Sequence, residues 1–277
     1  MMGADAGIRH REIWAVGPGG IEVRQDPMGV EAPLEIRLGL VTPTGVERQT
    51  LSVTLRTPGE DEALAVGYLH AEGVIRTRDQ IASVGPCGAG GQRLRVDLIP
   101  GMTVDLERFS RSGPASAACG ACGKRSIAAL LPPEIPPLPA LDDPIDAAVI
   151  YGLGGALRQG QPRFQVTGAL HAAGLFDAQG RQVEVAEDVG RHNAVDKVVG
   201  QRILAGQSPA LPLLAVSGRA GFELIQKAMM AGISVFCALG APSDLAVEMA
   251  EGHGMTLIGF LGRSRFNIYS HPAAIRL

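Results

Sequence analysis

The chain has 277 residues, which is enough for one large domain or two modest ones. Hydrophobic residues make up 46% of it and charged residues 19%, as in globular proteins with a substantial core, although aromatic residues contribute only 4%. The formal net charge of -3 gives no general attraction for nucleic acid or anionic lipid, so we expect neither as a partner.

The amino-terminal sequence and the absence of long apolar runs predict a cytoplasmic protein. The stretch MMGADAGIRHREIW lacks the apolar segment of a secretory signal, and no run of about 18 apolar residues that could span a membrane occurs. Cysteines in the cytoplasm stay reduced. A close pair of them is therefore expected to serve catalysis or metal binding rather than to form a structural disulfide.

Alternating apolar and polar residues predict β-strands in the first part of the chain. The stretch 33–40, PLEIRLGL, has this period of two, and the stretches 49–57 and 93–100 repeat it. Residues 59–73, GEDEALAVGYLHAEG, predict a helix instead, because acidic residues fill its first turn and apolar residues recur on one face. Gly73 is a suitable end for this helix.

Two of the four cysteines, Cys119 and Cys122, lie three positions apart in the stretch ACGACGKRS. Metal binding, disulfide exchange and sulfur transfer all use such pairs. The preceding residues, RSGPASAA, predict a mobile loop, whereas a thioredoxin-like dithiol follows a strand of a βαβ unit. Lys124 and Arg125 favour the thiolate by their charge, which suits a cysteine that accepts sulfur as a persulfide and passes it on.

The other cysteines do not complete a zinc site. A structural zinc ion needs four ligands, but Cys87 is isolated and Cys237 lies in an apolar stretch, where we expect a core residue. Zinc-dependent deaminases use H-x-E ahead of their cysteine pair, whereas here Ala173 takes the place of the glutamate after His171. We predict no bound metal. A zinc site shared between two chains or completed by histidines stays open, as does disulfide exchange.

The stretch 131–144, LPPEIPPLPALDDP, contains six prolines and predicts an extended linker, because proline lacks the backbone donor that helices and sheets use. We place a domain boundary there. Residues 1–130 would form a β-rich domain that ends in the cysteine loop, and residues 145–277 a second domain.

After the linker the pattern changes to apolar strands that alternate with amphipathic helices. This alternation predicts an α/β layered domain with parallel strands and right-handed crossovers. The predicted strands are 181–188, 211–218, 233–240 and 255–260, and the predicted helices are 191–206, 220–232 and 242–254.

Polar residues at the predicted strand ends are candidates for ligand binding. Ligands of open α/β sheets bind at the carboxyl ends of strands, and free N–H groups at helix starts attract phosphate. Together with bidentate arginines, these loops suggest a pocket for a phosphorylated, nucleotide-like ligand. Each residue also has a simpler interpretation, such as a helix cap, a solvated arginine or a structural histidine. The candidates are Ser217, Arg219, Ser243, Arg263, Arg265 and His192.

A set of motifs closely resembles the FdhD family of formate dehydrogenase accessory sulfurtransferases. The resemblance extends from Arg56 to Tyr269. Its motifs, in chain order, are RTPGEDEALAVGYLHAEGVI, CGACGKRSI, TGALHAA, EDVGRHNAVDKVVG, SGRAGFELIQKAMMAGI, APSDLAVEMA and TLIGF followed by NIY.

The resemblance implies an activity and its site. A cysteine desulfurase would supply sulfur, which Cys119 would carry as a persulfide. The chemistry of the pair lets Cys122 either assist the release of sulfur or resolve a disulfide, and both roles stay open. The acceptor would be a molybdenum (or tungsten) bis(molybdopterin guanine dinucleotide) cofactor, a substrate rather than a permanent cofactor, and it would then activate the formate dehydrogenase catalytic subunit. The implied cofactor-binding stretch is Phe260, Leu261, Gly262, Arg263, Ser264 and Arg265.

The resemblance also implies a fold and an assembly. The fold class would be α/β, with a larger, three-layer domain similar to cytidine deaminase but without its zinc, and a smaller β-rich α+β domain. Family members form homodimers, so we expect a homodimer here.

Overall fold

A computed structural model describes residues 5–42, 45–88, 90–109 and 134–277. Cys119, Cys122 and the first residues of the predicted linker lie outside the described residues. Short 3₁₀ helices occur at Arg78–Gln80, Leu106–Phe109 and Pro272–Ala274.

The chain begins with a two-stranded antiparallel ribbon formed by β1 (Ile8–Gly17) and β2 (Gly20–Gly29). A four-stranded sheet follows, in the order β4-β3-β6-β5. Its strands are β3 (Ala32–Thr42), β4 (Gly45–Arg56), β5 (Ile81–Pro86) and β6 (Arg93–Leu98). The three strands predicted in this part are confirmed as β3, β4 and β6, while β1, β2 and β5 were not predicted.

Helix α1 (Asp61–Ala71) confirms the helix predicted between these strands. Glu60 precedes it in the left-handed conformation, and Gly73 also has a positive φ, which allows the chain to turn away after the last helical turn. We predicted that apolar residues bury only one face of this helix, but its burial is more extensive. Every residue from Ala63 to Ala71 is buried, because α1 lies between its own sheet and a helix of the second half.

The second half contains a six-stranded sheet in the order β13-β12-β11-β10-β8-β9. Strands β10, β11 and β12 are parallel to one another, and β8, β9 and β13 pair antiparallel at the flanks. The strands are β8 (His171–Phe176), β9 (Gln182–Asp188), β10 (Leu213–Val216), β11 (Val235–Ala238), β12 (Thr256–Gly259) and β13 (Asn267–Ser270). The predicted parallel arrangement therefore holds for the three central strands.

Helices cover both faces of this sheet. One face packs on α2 (Ala147–Gln159), near the short helix α3 (Pro162–Thr167), and the other packs on α4 (Arg191–Leu204), α5 (Phe222–Met230) and α6 (Asp244–Gly252). Within β10, Leu213 and Ala215 face the α2 side while Leu214 and Val216 face the other, which explains its uninterrupted apolar sequence. Two short strands, β7 (Ile145–Asp146) and β14 (Ile275–Arg276), pair in parallel below α2.

The two large sheets share one hydrophobic core. A single buried cluster includes Leu34 and Leu38 of β3, Leu69 of α1, Val198 of α4 and Phe236 of β11. The extended residues 134–141 also pack against this cluster, through Ile135 and Leu138. The division into domains at the proline-rich stretch stays a prediction. Cys237 is fully buried in the core on the α2 side, as expected, and burial raises the pKa of its thiol.

Helices α1 and α4 cross at backbone contact, through one glycine on each helix. A Cβ atom on Gly67 would overlap the carbonyl oxygen of Asp196, and one on Gly200 would overlap the carbonyl oxygen of Ala63. Glycine at both positions lets the first half of the chain approach the second half closely enough to share a core.

We predict that Gly67→Ala or Gly200→Ala lowers the free energy of unfolding by at least about 2 kcal/mol, because the added methyl forces the two helices apart. Urea unfolding followed by circular dichroism measures this change. Gly155→Ala in α2 is the matched control, since no atom lies within 4 Å of the added methyl there. The control is expected to be neutral or to stabilise by up to about 1 kcal/mol. Equal effects at all three positions would contradict the proposed crossing.

Candidate functional site

The topology brings five strand ends to one edge of the six-stranded sheet. Strands β10, β11 and β12 end there, and antiparallel pairing places the start of β8 and the end of β9 at the same edge. The helices that follow β9, β10 and β11 therefore all begin at this edge. The predicted convergence of the strand-end loops is confirmed.

Ser217 connects the ends of two neighbouring strands at this edge. Its hydroxyl accepts a hydrogen bond of 2.9 Å from the backbone N–H of Ala172, and its own N–H donates to the Ala172 carbonyl at 2.9 Å. The hydroxyl also lies 3.3 Å from Nδ1 of His171. Burial and the nearby charge of Arg191 lower the pKa of His171, so this imidazole is neutral at pH 7.

Two helices present their first N–H groups at the edge without a cap from their own N-cap side chain. The N-cap residues are Gly190 for α4 and Gly221 for α5, both with extended backbone. Such N–H groups and the helix dipole attract anions. Helix α6 differs, because the Ser243 hydroxyl accepts a hydrogen bond from Ala246 N–H at 3.3 Å. The helix-cap interpretation of Ser243 is therefore confirmed, and its proposed role in ligand binding stays a prediction.

His192 connects the beginnings of α4 and α5. Its Nε2 lies 3.2 Å from a carboxylate oxygen of Glu223, and only 11% of its side chain is exposed. Burial lowers the pKa of His192, and the charges of Lys227 and Arg191 act in the same direction. A neutral His192 that donates to Glu223 is thus a structural link between two helix starts, and a contact with ligand stays a prediction.

The predicted arginines are exposed around this edge. Arg219 follows β10, and in the described part of the chain no carboxylate lies within ion-pair distance of it, of Arg263 or of Arg265. A side chain at Gly240 would press on both the backbone and the Cγ atom of Arg219, which explains a glycine there. Among the described residues, no carboxylate competes with an anion for these guanidinium groups.

The loop after β12 is fixed by its backbone. Phe260 has the left-handed φ of 50°, unusual for a large residue, and its N–H donates to the Gly240 carbonyl at 3.0 Å. Leu261 is buried, and the N–H of Gly262 donates to the Arg265 carbonyl at 2.9 Å, which closes a turn. This turn leaves Arg263, Ser264 and Arg265 exposed, while almost half of the Phe260 side chain reaches solvent.

Sequence reasoning missed a cavity of about 280 Å³ beside Ser217 and His171. Its wall includes Arg158 of α2 and Phe164 of α3, whose side chains stack with the guanidinium carbon 4.2 Å from the ring centre. Gln161 also lines it and is 3% exposed, yet no acceptor in the described structure pairs with its Nε2. These residues precede the first strand of the sheet, so no strand-end pattern pointed to them.

A buried ion pair lies directly behind the edge. The Lys197 amine is 2.8 Å from Oδ2 of Asp188, and neither side chain is exposed. The Asp188 carboxylate also accepts from the N–H groups of Gly190 (2.8 Å) and Thr57 (3.1 Å), and from the Asn193 amide (2.9 Å). Lys197 donates further to the carbonyls of Thr57 and Glu187, both at 3.1 Å. The pair therefore joins the start of α4 to the loop after β4.

Neither a cluster of potential metal ligands nor a helix suited to spanning a membrane occurs among the described residues. They contain no cluster of three or more His, Cys, Asp or Glu side chains that could bind a metal. Among the described helices, none combines the length and the apolar character that crossing a bilayer requires.

Comparisons with known proteins place these features in context. A model of the FdhD/NarQ family matches residues 31–276. The chain is 44% identical over 268 residues to the sulfur carrier protein FdhD of Anaeromyxobacter dehalogenans (strain 2CP-1), with 91% of this chain and 90% of that protein covered. It is 42% identical to the protein of the same name from Nocardia farcinica, with 96% and 94% covered.

The fold also matches a solved structure. A crystal structure of a protein from Desulfotalea psychrophila, described as a formate dehydrogenase accessory protein, superimposes with a TM-score of 0.75. The match covers 98% of this chain and 100% of that one, at 24% sequence identity, and supports the mixed α/β fold with several sheets.

We predict that Lys197→Met lowers the free energy of unfolding by about 3–5 kcal/mol, because it leaves the Asp188 carboxylate buried without its cation. Chemical denaturation measures the loss. The double variant Lys197→Met/Asp188→Asn is expected to recover part of it, since the buried charge is then removed as well. Strictly additive losses would show that the two groups act independently.

Proposed function

The chain belongs to the FdhD/NarQ family, and on that premise we propose that it is a sulfurtransferase that serves formate dehydrogenase. The Cys119 thiolate attacks the outer sulfur of a persulfide on a cysteine desulfurase, and the desulfurase cysteine leaves as a thiolate. Cys119 then holds the sulfur as a persulfide. Attack of a second thiolate, such as that of Cys122, on Sγ of Cys119 would release the outer sulfur as hydrosulfide for the molybdenum bis(molybdopterin guanine dinucleotide) cofactor and leave a disulfide, which a further thiol reduces. These steps would take place in the cytoplasm, and the protein would act as a homodimer.

The observation that carries this proposal is the chemistry of the sheet edge. The starts of α4 and α5, whose glycine N-caps provide no side-chain cap, converge there with the guanidinium of Arg219, which has no carboxylate partner among the described residues. Arg263 and Arg265 lie on the loop after β12. Strand β12 is parallel to β10 and is separated from it in the sheet by β11. An anion-binding edge of this kind suits the phosphates of a dinucleotide, which a protein with no net positive charge binds only through such local groups.

We assign the guanine base to the cavity beside Ser217. Its volume fits a flat heterocycle, and the stacked Arg158 and Phe164 side chains supply an aromatic and cationic surface on its wall. The amide of Gln161 has a spare donor for a carbonyl oxygen. Because His171 is neutral, it adds no positive charge to the cavity wall that would repel the arginines nearby.

The finer fold assignment is part of the proposal. Residues 145–277 would form a cytidine deaminase-like, three-layer domain, residues 1–130 a smaller domain and residues 131–144 their linker. The order of elements from β8 through α4, β10, α5, β11 and α6 to β12, with an antiparallel hairpin first and parallel strands after it, supports this kinship.

We predict that Cys119→Ala produces inactive formate dehydrogenase that still contains molybdenum cofactor, because the sulfur has no carrier. Formate oxidation and cofactor content, measured in a host that lacks its own copy of this protein, test the prediction. Mass spectrometry after incubation with desulfurase and cysteine should find the added sulfur on Cys119.

Two variants control this experiment. Cys122→Ala is expected to reduce activity less, because another thiol can replace an assisting one, and Cys87→Ala is expected to leave activity unchanged. Full activity of Cys119→Ala would instead indicate a cofactor-binding chaperone whose cysteines are incidental. Stoichiometric zinc that disappears with both cysteines would indicate a zinc-stabilised interaction module.

We also predict that Arg219→Gln, Arg263→Gln and Arg265→Gln each weaken the binding of GDP about tenfold, the usual effect of losing one charge-assisted hydrogen bond. Isothermal titration calorimetry measures the affinity. Arg181→Gln is the control, because Arg181 lies at the opposite edge of the sheet and pairs with Asp177.

Titration with inorganic pyrophosphate separates the two parts of the site. The arginine variants should weaken the binding of both GDP and pyrophosphate. Phe164→Ala should weaken the binding of GDP alone, because pyrophosphate has no base to stack on the ring. Unchanged GDP affinity in all three arginine variants would show that the phosphates bind at another place on the protein.

A further inference from the structure

Two neighbouring carboxylates at the end of β9 point to opposite faces of the sheet, because successive side chains of a strand alternate between its faces. Asp188 lies on the α4 side, where it pairs with Lys197 and accepts from the N–H of Gly190. Glu187 lies on the α2 side and reaches the start of α3. It is 5% exposed, so its polar atoms need hydrogen-bonding partners in the protein.

The side chain of Glu187 supplies the hydrogen bonds that the first turn of α3 lacks. One carboxylate oxygen accepts from the N–H of Arg163 at 2.9 Å, and the other accepts from the N–H of Phe164 at 2.7 Å. Pro162, the first residue of the helix, has no N–H, and the N–H of Gln165 bonds to the backbone at 3.0 Å. The N–H groups at the start of α3 are therefore all satisfied.

This arrangement leaves the side chain of Gln161 available. Gln161 occupies the N-cap position of α3 but makes no capping hydrogen bond, because Glu187 already binds the N–H groups that an N-cap side chain usually binds. The Gln161 amide instead lines the cavity, where no acceptor in the described structure pairs with its Nε2. A cap supplied by a neighbouring strand thus keeps a buried donor free for a ligand.

The position of α3 depends on this cap because the helix has only six residues, too few to be stable by its own hydrogen bonds. Asp5 forms an ion pair of 2.8 Å with Arg163, but Asp5 is exposed, and such a pair contributes little. The buried carboxylate of Glu187 with its two N–H donors is the stronger restraint. The helix carries Phe164, whose ring stacks against Arg158 on the cavity wall.

We propose that Glu187 is a positioning residue for the base part of the site. By holding the start of α3 against the sheet, it sets the places of the Phe164 ring and the Gln161 amide in the cavity wall. This inference rests on the proposed function, because it requires the cavity to bind the guanine base. It adds that two adjacent carboxylates of one strand fix the two parts of the site separately: Asp188 fixes the start of α4, and Glu187 fixes the wall for the base.

The variant Glu187→Gln tests the proposal, because glutamine has the same shape but only one acceptor oxygen, so one of the two bonds to α3 is lost. We expect isothermal titration calorimetry to show GDP affinity lowered about fivefold, because the wall is no longer preorganised for the base. The affinity for inorganic pyrophosphate should stay unchanged, since pyrophosphate has no base. Circular dichroism checks that the variant remains folded.

The matched control is Asp177→Asn. The Asp177 carboxylate also accepts from two backbone N–H groups, those of Gln179 and Arg181, but it lies at the opposite edge of the sheet. This variant should change the affinity for neither GDP nor pyrophosphate.

A double variant separates positioning from a general loss of stability. If Glu187 acts through the wall residue Phe164, then adding Glu187→Gln to Phe164→Ala should lower GDP affinity by less than about twofold further. A full additive loss in the double variant, or equal losses for GDP and pyrophosphate in Glu187→Gln, would overturn the positioning role.

The same measurements distinguish failure of this inference from failure of the proposed base site. Unchanged GDP affinity in Glu187→Gln, with weakened affinity in Phe164→Ala, would refute the role of Glu187 and leave the base site in place. Unchanged GDP affinity in Phe164→Ala would refute both.

Discussion

The close crossing of α1 and α4, with the Lys197–Asp188 ion pair beside it, is the constraint on which the rest of the structure depends. Glycines at 67 and 200 allow backbone contact between a helix of the first sheet and a helix of the second. Lys197 then reaches the carbonyl of Thr57 on one side and Asp188 on the other. A buried ion pair is stable only when all its hydrogen bonds are satisfied, and here the carboxylate has four partners.

The same ion pair lies behind the sheet edge and fixes the geometry of the backbone there. Asp188 is the last residue of β9, and its second oxygen accepts from Gly190, the N-cap of α4. The carboxylate therefore fixes the path of the chain from strand to helix and the direction in which the first N–H groups of α4 point. The first half of the chain thus contributes to the edge through Thr57, although it supplies none of the candidate binding residues there. Stability and site geometry depend on one polar network.

The proposed separation of phosphate contacts from base contacts depends on where the helices lie. The arginines lie on loops that follow strands, where the parallel order of β10 to β12 places helix starts and positive charge together. The cavity lies on the α2 side, between α3 and the beginning of β8, and has an apolar and stacked wall. A ligand with anionic and aromatic parts would be held across the edge by groups on both faces of the sheet. Cys119, the proposed sulfur carrier, lies outside the described residues.

The sequence by itself determined the family, the thiol pair, and in the second half the strands β9 to β12 and the helices α4 to α6. Four-residue strands such as LLAV are buried on both faces, and such apolar runs between amphipathic helices have few alternative structures. It also placed Ser217 and Arg219 at strand ends. Only the tertiary structure showed that α1 is buried on every side, that Ser243 caps its helix and that His192 is engaged by Glu223. The same holds for the cavity at Gln161 and for the exposed apolar side chains of the β1–β2 ribbon. Local patterns reveal which residues follow a strand, but burial and pairing depend on segments that are distant in the chain, such as Thr57 and Asp188, and no local pattern contains that information.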